Sequence, residues 1–195
     1  MKKSVRQANF GFITLITVCL LFSGCTPMSH SSAFTFNYYE TTAKTDEPNY
    51  VLMKDSSRVY GGTKIKASKK YVYVDDKKIP SADVLGFQNK VGFWAKVNMD
   101  ESTIVWARRL VYGKISVYSA SEPPPNGWVA YFYQKDTGPI DFGPSRWSQF
   151  KEMVKDCPKA FDMANISDDE CKKALRKDLY YTQHIIETYN ACGWK

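Results

Sequence analysis

The chain has 195 residues, a length that suits one domain, or one domain with an appendage. Lysine and arginine outnumber aspartate and glutamate by 27 to 20, which gives a formal net charge of +7 at pH 7. This excess is too modest to predict nucleic acid as a partner.

The first 24 residues have the pattern of a signal peptide. Lys2, Lys3 and Arg6 precede an apolar run of 13 residues, Phe10 to Phe22. A helix of that length is about 20 Å long, whereas the hydrocarbon core of a bilayer is about 30 Å thick. The run therefore favours a cleaved signal peptide over a transmembrane helix. Removal of residues 1–24 lowers the formal net charge to +4.

The end of this segment carries a recognisable motif. Leu21-Phe22-Ser23-Gly24-Cys25 resembles the lipobox of bacterial lipoproteins. The resemblance implies cleavage before Cys25, lipidation of its thiol and attachment to membrane lipid, with residues 25–33 as lipidated cysteine and polar tether. Thr26 in place of Asp implies the outer membrane by the sorting rule of that family. The alternative is an ordinary cleaved signal with an incidental cysteine.

Residues 34–143 have a β pattern. Short segments with alternating or β-favouring residues are separated by turn residues such as Asp75-Asp76 and Asn89-Lys90. The segments are Tyr71–Val74, Gly92–Val97, Ile104–Tyr112, Ile115–Ser119 and Trp128–Gln134. This spacing predicts an antiparallel meander that closes into a small barrel or sandwich.

Residues 144–195 have a helical pattern, which makes the predicted class α+β. Trp147, Phe150, Met153, Val154 and Cys157 recur at helical spacing between Pro144 and Pro158. Ser167 and Glu170 form a capping box for a second helix that ends near Asn190. Its apolar stripe consists of Cys171, Leu175, Leu179, Thr182, Ile186 and Tyr189. We predict a two-helix hairpin packed on the β domain.

This last third is similar to uncharacterised secreted proteins of Gram-negative bacteria. The segments that carry the resemblance are Tyr133–Gly138, Lys155–Pro158 and Ile185–Asn190. The resemblance implies no activity.

Three cysteines remain in an oxidising compartment once the signal is removed and Cys25 is lipidated. If the second helix is continuous, Cys171 and Cys192 are about 30 Å apart, too far for a disulfide. A helical hairpin favours a Cys157–Cys171 bridge. The alternatives are a Cys157–Cys192 bridge and three unbridged thiols.

The sequence contains little catalytic chemistry. His184 and Glu187 lie one helical turn apart, but the other histidine, His30, lies in the predicted tether, so no second imidazole completes a metal site with them. The sequence contains neither the G-x-S-x-G motif of serine hydrolases nor a Gly-rich phosphate-binding loop. The paired carboxylates of a glycosidase follow no sequence motif, so the sequence does not exclude glycosidase activity. We predict no catalytic residue, no metal and no cofactor.

The aromatic residues and one loop are the candidate recognition elements. Pro123, Pro124 and Pro125 stiffen a loop that leads to Trp128. The β region also contains Trp94, Trp106, Tyr112, Tyr118, Tyr131 and Tyr133, which either stack on a ligand or fill the core. A lysine cluster between Lys64 and Lys78 either contacts an anionic surface or is solvated.

These observations predict a lipid-anchored binding or scaffold module at the cell envelope, on the outer membrane. Its partners are membrane lipid through Cys25 and a protein or glycan of the envelope. The alternatives are a small envelope glycan hydrolase and a periplasmic inhibitor or immunity protein.

Overall fold

A computed structural model describes residues 37–38, 48–61, 64–100, 103–121 and 127–193. The predicted signal peptide, Cys25 and the tether lie outside these residues. So do Pro123, Pro124 and Pro125 of the predicted recognition loop.

The described residues form strands first and helices last. The strands are β1 (Tyr50–Met53), β2 (Arg58–Tyr60), β3 (Ile65–Ala67), β4 (Tyr71–Val74), β5 (Lys77–Pro80), β6 (Val84–Asn89), β7 (Gly92–Asn98), β8 (Ile104–Val111), β9 (Ile115–Ser121), β10 (Val129–Lys135) and β11 (Asp141–Phe142). A short 3₁₀ turn, Ser81–Asp83, precedes β6. The helices are α1 (Trp147–Val154), α2 (Pro158–Ala164), α3 (Asp168–Lys177) and α4 (Tyr181–Ala191). The predicted α+β class is confirmed.

Eight strands form one antiparallel sheet in the order β11-β10-β9-β8-β7-β6-β1-β2. From β6 to β11 each strand pairs with the next, which is a meander, and the β1–β2 hairpin extends the sheet beyond β6. The sheet is open, with the short strands β2 and β11 at its edges. The predicted barrel is therefore wrong: an edge strand of two or three residues offers too few backbone groups to close the sheet.

The strands β3, β4 and β5 form a separate small sheet. Val72 and Val74 of β4 are buried, whereas Tyr73 between them is exposed, as expected when side chains alternate between two faces. The two valines pack against Val51 of β1 and Phe87 of β6. The small sheet thus covers one part of the large sheet.

The helices cover another part of the large sheet. Ile115 and Val117 of β9 pack against Trp147 and Phe150 of α1 and Ile186 of α4, and all five are buried. We call this side of the large sheet the helix face. Trp147, Phe150 and Val154 are buried as predicted, and Met153 is partly buried.

The predicted two-helix hairpin is wrong, because the region contains four helices. Pro158 was predicted to end a helix, yet it is the first residue of α2. Proline suits that position because the first N–H of a helix needs no partner within the helix. The predicted second helix is broken at Asp178, whose backbone is extended. Leu179, predicted on the buried stripe, is consequently 59% exposed.

The predicted capping box at the start of α3 is confirmed. The Glu170 amide donates to Ser167 Oγ at 3.3 Å, and the Ser167 amide donates to Glu170 Oε2 at 2.9 Å. These bonds satisfy donors that a helix start otherwise leaves without partners.

The predicted Cys157–Cys171 disulfide is wrong. Cys157 is bonded to Cys192, with the two Cα atoms 6.0 Å apart. The break at Asp178 lets α4 run beside α2, which brings the end of the helical region back to Cys157. Cys171 is buried and free, and burial raises the pKa of its thiol to about 11. The Cys171 thiol is therefore an inert part of the core.

Candidate functional site

The side of the large sheet opposite the helix face holds a groove, and we call this side the groove face. It carries Ala95, Ala107, Tyr118 and Phe132, all of which are buried. The groove has a volume of about 650 Å³. Ligand sites in proteins commonly measure about 300–1,000 Å³, so the groove has the size of a binding site.

Strand pairing brings the groove residues together. Phe93 lies near the start of β7, and Arg109 lies near the end of β8. Arg109 is opposite Tyr118 of β9, so both side chains project from the groove face. Gln134, near the end of β10, and the connection from Asp136 to Asp141 form the far wall.

Arg109 is held between two aromatic rings. Its guanidinium carbon lies 4.7 Å from the centroid of the Phe93 ring and 4.3 Å from that of Tyr112. Both distances are within the range of a cation–π interaction. The groove therefore contains a cation with a defined position, next to a Tyr112 ring that is 67% exposed.

A chain of hydrogen bonds fixes the polar floor of the groove. The Tyr118 hydroxyl donates to Gln134 Oε1 at 2.8 Å, and Gln134 Nε2 donates to the Gly138 carbonyl at 2.9 Å. Burial raises the pKa of Tyr118, and the nearby charge of Arg109 offsets only part of this rise. Tyr118 therefore stays protonated at neutral pH and remains a donor.

Two carboxylates line the far wall, Asp136 and Asp141. Both residues are exposed. The general acid of a glycosidase works from a desolvated environment, as lysozyme illustrates. Because the two aspartates are solvated, the groove suits hydrogen bonding to a ligand better than proton transfer.

The structure divides the aromatic residues singled out in the sequence. Tyr112 and Tyr118 line the groove. Trp128 is partly buried and packs against the apolar cluster of the groove face. Trp94 and Trp106 pack beneath the small sheet, and Tyr131 and Tyr133 pack beneath the helices. Among these residues, Tyr112 is thus the one with an exposed ring in the groove, whereas Tyr118 is buried in its floor.

Sequence reasoning missed Arg109, Gln134, Asp136 and Asp141. Their side chains meet only because of the register between strands that lie far apart along the chain, from Phe93 in β7 to Asp141 in β11. The sequence gives one weak indication of the site: β8 is apolar except for Arg109 and its neighbour Arg108.

The predicted lysine cluster lies partly on the small sheet. Lys66 of β3, Tyr73 of β4 and Lys78 of β5 form one row across the three strands. The Lys78 ammonium lies 3.8 Å from the centroid of the Tyr71 ring. This row projects away from the core, since Tyr73 is exposed.

His184 of α4 lies between two carboxylates. Its Nε2 is 3.2 Å from Asp178 Oδ2, and its Nδ1 is 3.5 Å from Glu187 Oε2. Across the described part of the chain, no group of three or more His, Cys, Asp or Glu side chains is arranged to hold a metal ion. The contact of His184 with Asp178 instead connects α4 to the residue that follows α3.

The groove is the part of the described chain that best combines shape, aromatic rings and fixed polar groups. None of the described helices has both the length and the apolar character needed to cross a bilayer. Comparison of the chain with protein-family models, with curated proteins and with solved structures finds no match.

Proposed function

We propose that this protein is a non-enzymatic binding module of the cell envelope, anchored by lipid on Cys25, and that its groove binds an envelope glycan. The observation that carries the proposal is the composition of the groove. An exposed ring, that of Tyr112, stands beside Arg109, Gln134 and two aspartates in one concave surface.

Sugars combine apolar C–H faces with many hydroxyl groups. The Tyr112 ring offers a flat surface for such a face. Arg109 supplies donors, Asp136 and Asp141 supply acceptors, and Gln134 supplies both. The groove therefore matches both kinds of surface on a sugar chain.

The anchor rests on the lipobox resemblance at Cys25, and Thr26 supports the outer membrane as its destination. The Cys157–Cys192 disulfide supports export, because such bonds persist in oxidising compartments such as the periplasm. A Cys25→Ser variant should incorporate no clickable fatty acid in a metabolic labelling experiment. Undiminished labelling of that variant would remove the anchor from the proposal.

Binding is tested with the mature protein and soluble glycan strands prepared from bacterial envelope. Tyr112→Ala should weaken binding about fivefold, since a lost stacking contact costs about 1 kcal/mol. Tyr73→Ala is the matched control, because Tyr73 is also exposed but lies on the small sheet. Equal affinities for both variants would exclude the groove as the glycan site.

The same incubation distinguishes binding from hydrolysis. We expect the glycan strands to keep their length distribution in chromatography. Shortened strands, together with loss of that activity in Asp136→Asn or Asp141→Asn, would support the hydrolase alternative, for which the two carboxylates in one groove are the favouring observation.

A further inference from the structure

We propose that the corner between α3 and α4, formed by residues 176–180, rests on an anionic phospholipid surface, the membrane in which the lipid on Cys25 is embedded. This inference rests on the anchoring part of the proposed function. It adds an orientation: one defined edge of the helical region faces the bilayer.

The corner exposes two large apolar side chains in succession. Leu179 is 59% exposed and Tyr180 is 38% exposed. Both lie in the turn between the helices, after α3 has ended at Lys177 and before α4 begins at Tyr181. Leucine and tyrosine at such a protruding position are suited to the interfacial region of a bilayer, where an apolar body meets polar headgroups.

The helix that leads to this corner has a basic face. Lys172, Lys173, Arg176 and Lys177 are all exposed. Their spacing of one, three and four residues places them on the same side of α3. Lysines and arginines near an anionic membrane are attracted to its surface. The positive charge at the corner end of this side, from Arg176 and Lys177, therefore complements acidic lipid.

The acidic residues of α3 and of the corner interact with other groups of the protein. Asp178 accepts a hydrogen bond from the Tyr180 amide at 2.9 Å and lies 3.2 Å from His184 Nε2. At the far end of α3, Glu170 accepts hydrogen bonds from Ser167 in the capping box. Asp169 lies 3.6 Å from Lys172. The charge at the corner itself is thus dominated by Arg176 and Lys177.

Tyr38, one of the first two described residues after Cys25, lies near the start of α4. Tyr38 is thirteen residues after Cys25, a separation that spans at most about 45 Å when fully extended. Tyr38 is buried against Tyr131 and Tyr133 and lies next to Thr182, in the first turn of α4. Burial raises the pKa of Tyr131, and the nearby Tyr180 contributes to that rise. Tyr38 therefore lies close to the start of α4, the helix that follows the corner.

The test uses the mature, lipid-bearing protein in vesicles of phosphatidylethanolamine and phosphatidylglycerol. A nitroxide is attached to Leu179→Cys, and a matched label is attached to Val91→Cys. Val91 is also apolar and is 46% exposed, but it lies beside β7 at the turn that follows β6. Native thiols do not interfere, since Cys157 and Cys192 are bridged and Cys171 is buried.

Accessibility of each label to oxygen and to a polar nickel complex is measured by electron paramagnetic resonance. At position 179 we expect nickel accessibility to fall at least threefold on the vesicles, relative to the same label in unlipidated Cys25→Ser protein in solution. The label at position 91 should not change. Arg176→Glu with Lys177→Glu, or vesicles of phosphatidylcholine alone, should reverse most of the protection.

Three results would overturn the inference in different ways. If the protein floats with the vesicles but the label at 179 is as accessible as that at 91, the anchor stands and the orientation is wrong. If the lipid-bearing protein does not float with the vesicles, the anchor fails and the orientation fails with it. If the label at 179 is already protected in the Cys25→Ser protein without vesicles, a protein surface covers the corner instead.

Discussion

Asn190 pairs with the backbone of Ile115 through both ends of its carboxamide. Its Nδ2 donates to the Ile115 carbonyl at 2.9 Å, and the Ile115 amide donates to its Oδ1 at 2.8 Å. The neighbouring Lys114 ammonium donates to the Cys192 carbonyl at 2.8 Å. The end of α4 thus holds the start of β9, next to the turn that carries the groove residue Tyr112.

Asn190→Ala should lower the free energy of unfolding by about 1–3 kcal/mol, because two hydrogen bonds are lost and the Ile115 backbone groups lose their partner. Urea denaturation measures the change. Asn98→Ala is the matched control: Asn98 is exposed at the end of β7, so its loss should stay within about 0.5 kcal/mol. Equal losses in the two variants would show that the pairing contributes nothing.

Cys192→Ala should destabilise the protein by about 2–4 kcal/mol. The bridge to Cys157 closes a segment of 35 residues, and the chain-entropy model assigns about 4 kcal/mol to such a loop. Cys171→Ala, which removes a buried but unbridged sulfur, should cost about 1 kcal/mol. Non-reducing peptide mapping should find Cys157 linked to Cys192, and a linked peptide that contains Cys171 would contradict the structure.

The strands were more predictable than the helices, for a physical reason. Tyr71–Val74 was predicted with its observed bounds, because one face is buried and the other exposed. The helical stripe from Cys171 to Tyr189 is equally periodic, but it does not reveal that the chain turns at Asp178. The wrong disulfide followed directly from that missing turn.

The candidate site was harder to predict than the fold. The sequence leaves two possible roles for Tyr112 and Tyr118, and only the pairing of β8 with β9 shows that Tyr118 lies on the groove face, opposite Arg109. Arg109 had no motif that distinguished it from its neighbour Arg108. Side chains that meet through strand register leave no local pattern in the sequence.

Phe150→Ala should destabilise the protein by about 3–5 kcal/mol, as is typical for a buried phenylalanine. Phe150 is fully buried on the helix face and stacks on Trp147, with ring centroids 5.0 Å apart. Phe142→Ala offers a matched comparison, since Phe142 is 56% exposed on the edge strand β11. A melting temperature of Phe150→Ala at or above that of Phe142→Ala would show that α1 is not docked on the sheet.

Asp156, just after α1, links two elements of the fold. Its Oδ1 lies 2.9 Å from the Lys135 ammonium of β10, and its Oδ2 accepts from the Tyr189 hydroxyl of α4 at 2.8 Å. Desolvation acts to raise the pKa of Asp156, but the hydrogen bonds from Lys135 and Tyr189 outweigh it and keep that pKa below its usual value. The folded state therefore favours the charged carboxylate.

The contribution of this carboxylate to stability should be present above about pH 4 and lost as the pH falls through its lowered pKa. Asp156→Asn should be less stable than the parent at pH 7, and the difference should shrink between about pH 4 and pH 2. Urea midpoints across this range measure the effect. Asp162→Asn, a change at an exposed position of α2, should follow the parent at every pH. A constant gap for Asp156→Asn would contradict a role for its charge.

The Cys157–Cys192 bond also has a consequence for biogenesis. The groove residues named above lie between Phe93 and Asp141, yet its rim is supported by Asn190 and Cys192. Chains are synthesised from the N-terminus, so these supporting residues emerge after the groove residues. A chain that stops after Tyr189 would keep every residue that lines the groove, but the rim of the groove would lack its contacts with Asn190 and Cys192. The groove is thus completed by residues that follow it in the chain and do not line it.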